Sequence, residues 1–115
     1  MHGNNLQIQS VPGTRGGVQI LRLAGPLTIQ TLFDFQSAVK QVATPKLILD
    51  FAGVPYLDSA GLGAIVGAYV SAQRAQRKVA LAGINQQVGA LLEMTHTRQL
   101  IPCYSSVDQA EESLA

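Results

Sequence analysis

The segment that most constrains the fold is a short apolar run near the middle of the chain. Residues 46–51 read KLILDF, with a lysine at one end and an aspartate near the other. Side chains alternate between the two faces of a strand, so apolar residues at successive positions require cover on both faces. The run therefore predicts a central β-strand with packing elements above and below it.

Apolar periodicity predicts the remaining elements. Residues 6–11 and 18–23 alternate apolar and polar side chains, and Pro12-Gly13 between them marks a turn, so the two segments are predicted to form a hairpin. The other predicted elements are helices at 31–42, from Asp58-Ser59 to Arg77, from Asn85 and from Ser106 to Leu114, and strands at 79–82 and 101–104. The order is β-β-α-β-α-β-α-β-α, which predicts βαβ crossovers and a mixed sheet.

These elements predict a single α/β domain over residues 1–115, with 1–5 as a flexible N-terminus. The sheet is expected to have about four to five strands, accompanied by about four helices. The apolar face predicted for the first helix is Leu32, Phe35, Val39 and Val42, with Phe33 beside it, and that for the second is Leu62, Ile65, Val66, Tyr69 and Val70.

Composition limits the classes of function. Hydrophobic residues make up 47 % of the chain and charged residues 13 %, which excludes a disordered protein. The formal net charge is +1 and the cations are dispersed, so no direct contact with nucleic acid is expected. The nearest approach to a cluster, Arg74, Arg77 and Lys78, is interpreted first as the solvated end of a helix and second as a phosphate-binding patch.

No cofactor and no metal site is expected. The lone cysteine, Cys103, excludes an intramolecular disulfide and a multi-cysteine zinc site, and it is interpreted as a small core residue. Residues 1–5 lack the features of a secretory signal, and the apolar stretch at 60–70 is too short to span a bilayer. We expect a cytoplasmic protein without membrane insertion.

The segment 56–63, YLDSAGLG, carries the most chemical information. It joins a buried strand to a helix, and such loops lie at the carboxyl ends of the strands, where ligands and partners engage. Ser59 is expected at or next to the N-cap, with its hydroxyl facing solvent. Capping and close helix packing are the structural explanation of this segment and of Gly61, Gly63 and Gly67; close approach of a partner is the functional one.

Residues 58–63, DSAGLG, resemble the motif Asp-Ser-Ser/Thr/Ala-Gly-Leu-Gly of the anti-sigma factor antagonists in the STAS domain family. The order of elements from Leu6 onward is also similar to that family. The resemblance implies an anti-sigma factor antagonist with phosphorylation at Ser59. It implies partner-binding residues at Asp58, Ser59, Ala60, Gly61, Leu62, Leu27 and Thr28.

The same resemblance implies the partners. The unphosphorylated form would bind an anti-sigma factor that is also a serine kinase, and so release a sigma factor. Phosphorylation of Ser59 would block that binding, and a serine phosphatase would reverse it. The chain departs from the family at Thr28, where antagonists often carry an acidic residue after Gly-x-Leu, and Thr28 is interpreted as the cap of the first helix.

Two alternatives stay open. The chain could be a STAS regulatory or scaffolding subunit of a stress-sensing complex or a lipid transporter, without a phospho-switch. A serine hydrolase would need a base beside Ser59, and the two histidines are His2 and His96. Leu57 stands where the first glycine of a nucleophile elbow would be, so we expect no enzyme activity.

Overall fold

A five-stranded mixed sheet forms the centre of the computed structural model, which describes residues 5–114. The strands are β1 (Gln7–Pro12), β2 (Val18–Ala24), β3 (Lys46–Gly53), β4 (Lys78–Ala82) and β5 (Cys103–Tyr104). The helices are α1 (Leu32–Lys40), α2 (Ser59–Arg74), α3 (Gln86–Met94), α4 (Thr97–Leu100) and α5 (Val107–Leu114). Most of the predicted flexible N-terminus, with His2, lies outside the described residues.

The strands lie side by side in chain order. β1 is antiparallel to β2, as the predicted hairpin requires, and β2, β3, β4 and β5 are mutually parallel neighbours. The carboxyl ends of the four parallel strands therefore share one edge of the sheet, called here the carboxyl edge. The loops that lead into α1, α2 and α3 begin there.

The sheet is covered on both faces, as the sequence of β3 predicts. Leu47, Leu49 and Phe51 point into a core shared with α1, α2 and α3. Ile48 points the other way, into a smaller core closed by α5. The predicted fold class is thus confirmed.

Small side chains bring α5 close to the sheet. Ala80 and Ala82 of β4 and Ala110 of α5 are fully buried in the smaller core.

α5 starts where the sequence predicts, since the Ser106 hydroxyl accepts a hydrogen bond from the backbone N–H of Gln109 at 3.1 Å.

One helix was not predicted. α4 is only four residues long, and its N-cap residue His96 has a left-handed backbone with φ of 60°. A helix this short carries no apolar period, so the sequence offers little to distinguish it from a loop.

The buried face of α2 differs from the predicted one. The buried residues of this helix are Gly61, Ala64, Ile65 and Ala68. Of the predicted apolar face only Ile65 is buried, and Val70 is exposed. The helix packs through its smallest side chains because these allow it to lie close to its neighbours, and the larger residues flank that contact.

Two further expectations were wrong. Phe33 is 71 % exposed and takes no part in the core. Arg77 lies beyond the end of α2 and is half-buried, and its guanidinium donates a hydrogen bond to the carbonyl of Val42 at 2.7 Å. Arg77 therefore links the segment after α2 to the segment after α1, and it is not a solvated helix end.

No helix within residues 5–114 combines the length and the apolar character that a membrane crossing requires.

A buried carboxylate fastens α5 to the hairpin. Glu111 of α5 is only 3 % exposed. Its oxygens accept hydrogen bonds from the backbone N–H groups of Thr14 and Arg15, at 3.2 and 3.1 Å, and from the Thr14 hydroxyl at 3.1 Å. Burial raises the pKa of Glu111, but these donors and the Arg15 charge together lower it below its ordinary value.

Replacing this carboxylate should weaken the fold in a pH-dependent way. A lowered pKa in the folded state stabilises the protein fully above the unfolded pKa of about 4.3, and this stabilisation is lost as pH falls through the folded value. Glu111→Gln should reduce the free energy of unfolding by about 1–3 kcal/mol at pH 7. Urea unfolding at a series of pH values measures the difference between variant and wild type, which should shrink on the acid side.

Glu112→Gln is the matched control, because Glu112 is the exposed neighbour on the same helix. Equal losses of stability in the two variants would contradict the role given to Glu111.

Candidate partner-binding site at the start of helix α2

Ser59 is the first residue of α2 and is exposed. It lies at the carboxyl edge of the sheet, immediately after the β3–α2 loop. The first N–H groups of a helix have no intrahelical acceptor and form the positive end of its dipole. The serine hydroxyl therefore sits where an added anion is tolerated.

Asp58, and not Ser59, caps this helix. One oxygen of the Asp58 carboxylate, Oδ1, accepts from the Gly61 N–H at 2.8 Å, and Oδ2 accepts from the Ile29 N–H at 3.1 Å. The Gly61 N–H is the main cause that lowers the pKa of Asp58, and the Ile29 N–H adds to it despite partial burial. The carboxylate is thus fixed, and the Ser59 hydroxyl is not needed for capping.

Leu27 joins the β2–α1 loop to the β3–α2 loop. It forms an isolated parallel bridge with Leu57, and its N–H donates to the Tyr56 carbonyl at 3.2 Å. The Asp58 N–H in turn donates to the Leu27 carbonyl at 3.3 Å. The Leu27 side chain is fully buried, so it supports the loop from within and offers no surface of its own.

Only one of the three glycines of α2 is explained by close packing. A Cβ on Gly61 would collide with the carbonyl oxygen of Leu27 and lie 2.8 Å from its carbonyl carbon. A Cβ on Gly63 or Gly67 would meet nothing within 4 Å. Close packing is therefore found at Gly61, and that explanation is wrong for the other two.

Thr28 does not cap α1. The helix begins at Leu32, and Thr31 occupies the N-cap position. Thr28 instead forms a local turn, in which its hydroxyl accepts from the Gln30 N–H at 3.2 Å and its carbonyl accepts from the Leu32 N–H at 2.8 Å. The turn sets the helix start three residues later than a cap at Thr28 would.

Of the remaining predicted residues, Ala60 and Leu62 are half-buried, and Gly61 is buried. They flank Ser59 on the first turn of α2. The predicted residues are thus brought together at one place, with different degrees of exposure.

Asn85 holds the site from the opposite side. Its side-chain oxygen accepts from the Val88 N–H at 2.8 Å, which confirms the predicted cap of α3. Its amide nitrogen also donates to the carbonyls of Val54 and Pro55, at 3.2 and 3.1 Å. The β4–α3 loop is thereby joined to the β3–α2 loop, which leads into Ser59. Nothing in the sequence signals this second role beyond the placement of Asn85 at the carboxyl edge.

Exposed apolar side chains lie on the segments next to the site. Ile29 is 61 % exposed and Phe33 is 71 % exposed, and Tyr56 is also exposed. Ile29 and Phe33 belong to the loop and first turn that precede and open α1, and Tyr56 lies two residues before Asp58. These three residues form what is called here the edge patch. The sequence did carry a signal for the exposure of Phe33. Consecutive residues of a helix point about 100° apart, so Phe33 does not share the helix face of Leu32, Phe35 and Val39.

Within residues 5–114, no histidine stands beside Ser59 as the base that a serine hydrolase would need. His96 is exposed and lies beyond α3, which leads away from the carboxyl edge for nine residues, or about 13 Å. Burial raises the pKa of the Cys103 thiol, which favours its protonated form. Within residues 5–114, no three His, Cys, Asp or Glu side chains are grouped so that they could hold a metal ion.

Two alanine substitutions separate the glycine that packs from one that does not. Gly61→Ala should reduce the free energy of unfolding by about 1–3 kcal/mol, because the new methyl group overlaps the Leu27 backbone. Gly63→Ala should raise it by about 0.5–1 kcal/mol, because alanine is the better helix former and the space is open. Chemical denaturation of both variants measures the two signs, and a destabilising Gly63→Ala would refute the assignment.

Known proteins resemble this chain over most of its length. The anti-sigma F factor antagonist of Paenibacillus polymyxa is 28 % identical over 106 residues, which cover 89 % of each chain. A candidate anti-sigma factor antagonist from Thermotoga maritima aligns with a TM-score of 0.84 at 22 % identity, over 92 % of each chain. The unphosphorylated Bacillus antagonist SpoIIAA aligns with a TM-score of 0.75 at 16 % identity, over 94 % of this chain and 96 % of its own.

The sequence model of the STAS domain family matches residues 9–110. This range includes part of β1, all of the other strands and the first residue of every helix described above. A match over so much of the chain settles its family. The chain belongs to the STAS domain family.

Proposed function

We propose that this chain is an anti-sigma factor antagonist controlled by phosphorylation of Ser59. The unphosphorylated form binds an anti-sigma factor that is also a serine kinase and so frees a sigma factor. Phosphorylation blocks the binding, and a serine phosphatase restores it. The observation that carries the proposal is the exposed Ser59 hydroxyl at the first position of α2, left free because Asp58 caps the helix.

The helix start favours modification without unfolding. A phosphate on Ser59 adds roughly −1.5 to −2 charges, next to N–H groups and a dipole that attract an anion. Asp58 repels it, but the Asp58 carboxylate is neutralised in part by the two N–H groups that it accepts from. The two effects oppose each other, so the fold is expected to stay intact.

The surface around Ser59 suits a protein partner. The edge patch of Ile29, Phe33 and Tyr56 supplies exposed apolar area on the β2–α1 loop, the first turn of α1 and the β3–α2 loop. Burying apolar surface favours association, whereas a dianion in the same interface must be desolvated and meets Asp58. The names of the relatives support this assignment, and SpoIIAA is known in an unphosphorylated and a phosphorylated form.

The first test concerns the acceptor residue. The purified chain is incubated with ATP and the anti-sigma kinase of the source organism, and intact mass and peptide mass spectra are recorded. We expect one phosphate on Ser59, and none in Ser59→Ala. The phosphorylated chain should bind the kinase at least about 100-fold more weakly, since like charges and desolvation in an interface cost several kcal/mol.

Ser71→Ala is the control, because Ser71 is a second exposed serine on α2. This variant should be labelled like the wild type. Label on Ser71, or equal binding before and after modification of Ser59, would overturn the phospho-switch.

The second test concerns the edge patch. Phe33→Asp should weaken binding of the anti-sigma factor by about 10-fold or more, because a buried apolar contact is lost and a charge is left unpaired. The stability of the free protein should change little, since Phe33 is already in water. Calorimetric titration measures the affinity.

Met94→Asp is the matched control, because Met94 is 77 % exposed and lies at the far end of α3. A loss of affinity as large as that of Phe33→Asp would show that the edge patch is not the interface. Purification from the native cell with transporter subunits in place of an anti-sigma factor would favour the scaffolding alternative instead.

A further inference from the structure

A cavity of about 420 Å³ lies between α1 and α2, away from the Ser59 site. The sheet contributes Leu47 and Val79, the second residues of β3 and β4, together with Lys78, the first residue of β4. Phe35 of α1 forms part of the wall, and the side chains of Phe35, Leu47 and Val79 are buried. The cavity is therefore at the amino end of the parallel strands, and Gly67 on its wall is eight residues, or about 12 Å, along α2 from Ser59.

The composition of α2 keeps this space open. The residues of α2 that line the cavity are Ala64, Gly67, Ala68, Ser71 and Ala72. Gly67 is the least expected of them, because a glycine inside a helix costs about 0.5–1 kcal/mol relative to alanine. A Cβ on Gly67 would meet nothing within 4 Å, so helix packing does not require the glycine.

The lining of the cavity is positively charged. Lys40, Arg77 and Lys78 belong to it, and none of the thirteen lining residues carries a carboxylate. One nitrogen of Arg77, Nη1, is tied to the Val42 carbonyl at 2.7 Å, which holds the guanidinium in place. A guanidinium has five N–H donors, so others remain for a ligand.

We propose that this cavity binds a small amphipathic carboxylate. The carboxylate group contacts Arg77, with Lys40 and Lys78 beside it, and the apolar body lies over the accessible part of the lining at Val39, Gly67 and Ala72. Charge complementarity selects the head group, because three cations face the cavity without a lining carboxylate. A volume of about 420 Å³ lies within the range of small-molecule sites.

Decanoate is the probe for this site. It is titrated below its micelle concentration into the ¹⁵N-labelled full chain and followed by two-dimensional NMR. We expect saturable binding at one site, with shifts at Gly67, Ala68 and Lys78. Decanol should bind at least about 10-fold more weakly, because it offers Arg77 no charge.

Two leucine substitutions provide matched variants. Gly67→Leu fills the cavity and should weaken decanoate binding by at least about 10-fold, whereas Gly63→Leu on the same helix should leave it unchanged. The double substitution Lys40→Gln and Lys78→Gln changes exposed residues only and should also weaken binding, so the test stands even if Gly67→Leu fails to fold.

Several results would overturn the proposal. They are the absence of saturable binding, equal affinity for decanol, unchanged binding in both cavity variants, or shifts at Ile29 and Phe33 in place of Gly67. None of these outcomes bears on phosphorylation of Ser59, which is measured separately.

Discussion

The Asp58 carboxylate is the interaction on which the site depends. A single side chain satisfies the first turn of α2 and the backbone of the β2–α1 loop at once. It can do so because Gly61 lacks a Cβ, which lets the helix approach the Leu27 carbonyl. The cap leaves the Ser59 hydroxyl exposed and uncommitted. Removing the carboxylate would leave the Gly61 and Ile29 N–H groups without this acceptor, and only the backbone bonds of Leu27 would then join the two loops.

The topology of the sheet determines where the Asp58 cap and Ser59 lie. Four parallel strands in chain order bring the loops before α1, α2 and α3 to the carboxyl edge. These three helices cover one face of the sheet, and α5 covers the other. Glu111 fastens that last helix to the hairpin loop at Thr14 and Arg15. A carboxylate that accepts several N–H groups offsets the cost of its own burial, as at Asp58. The chain thus uses acids as structural ties at both ends of the sheet.

Local patterns predicted most of the fold. The apolar run of β3, the cap at Asn85 and the helix start at Ser59 depend on neighbouring residues, and all three are found in the structure. The burial of Glu111 was not predictable, because its partners are 96 and 97 residues away in sequence. The packing face of α2 depends on how the helix meets the sheet, which apolar periodicity alone does not determine.

The link from Asn85 to Val54 and Pro55 has a consequence for association kinetics. With Asp58 on one side and Asn85 on the other, side-chain hydrogen bonds join the three loops to one another in the free chain. Under the proposed function, a docking protein would therefore lose less free energy in ordering these loops. Surfaces that are ordered before binding associate without a slow conformational step. Differences in affinity among partners would then lie mainly in the dissociation rate.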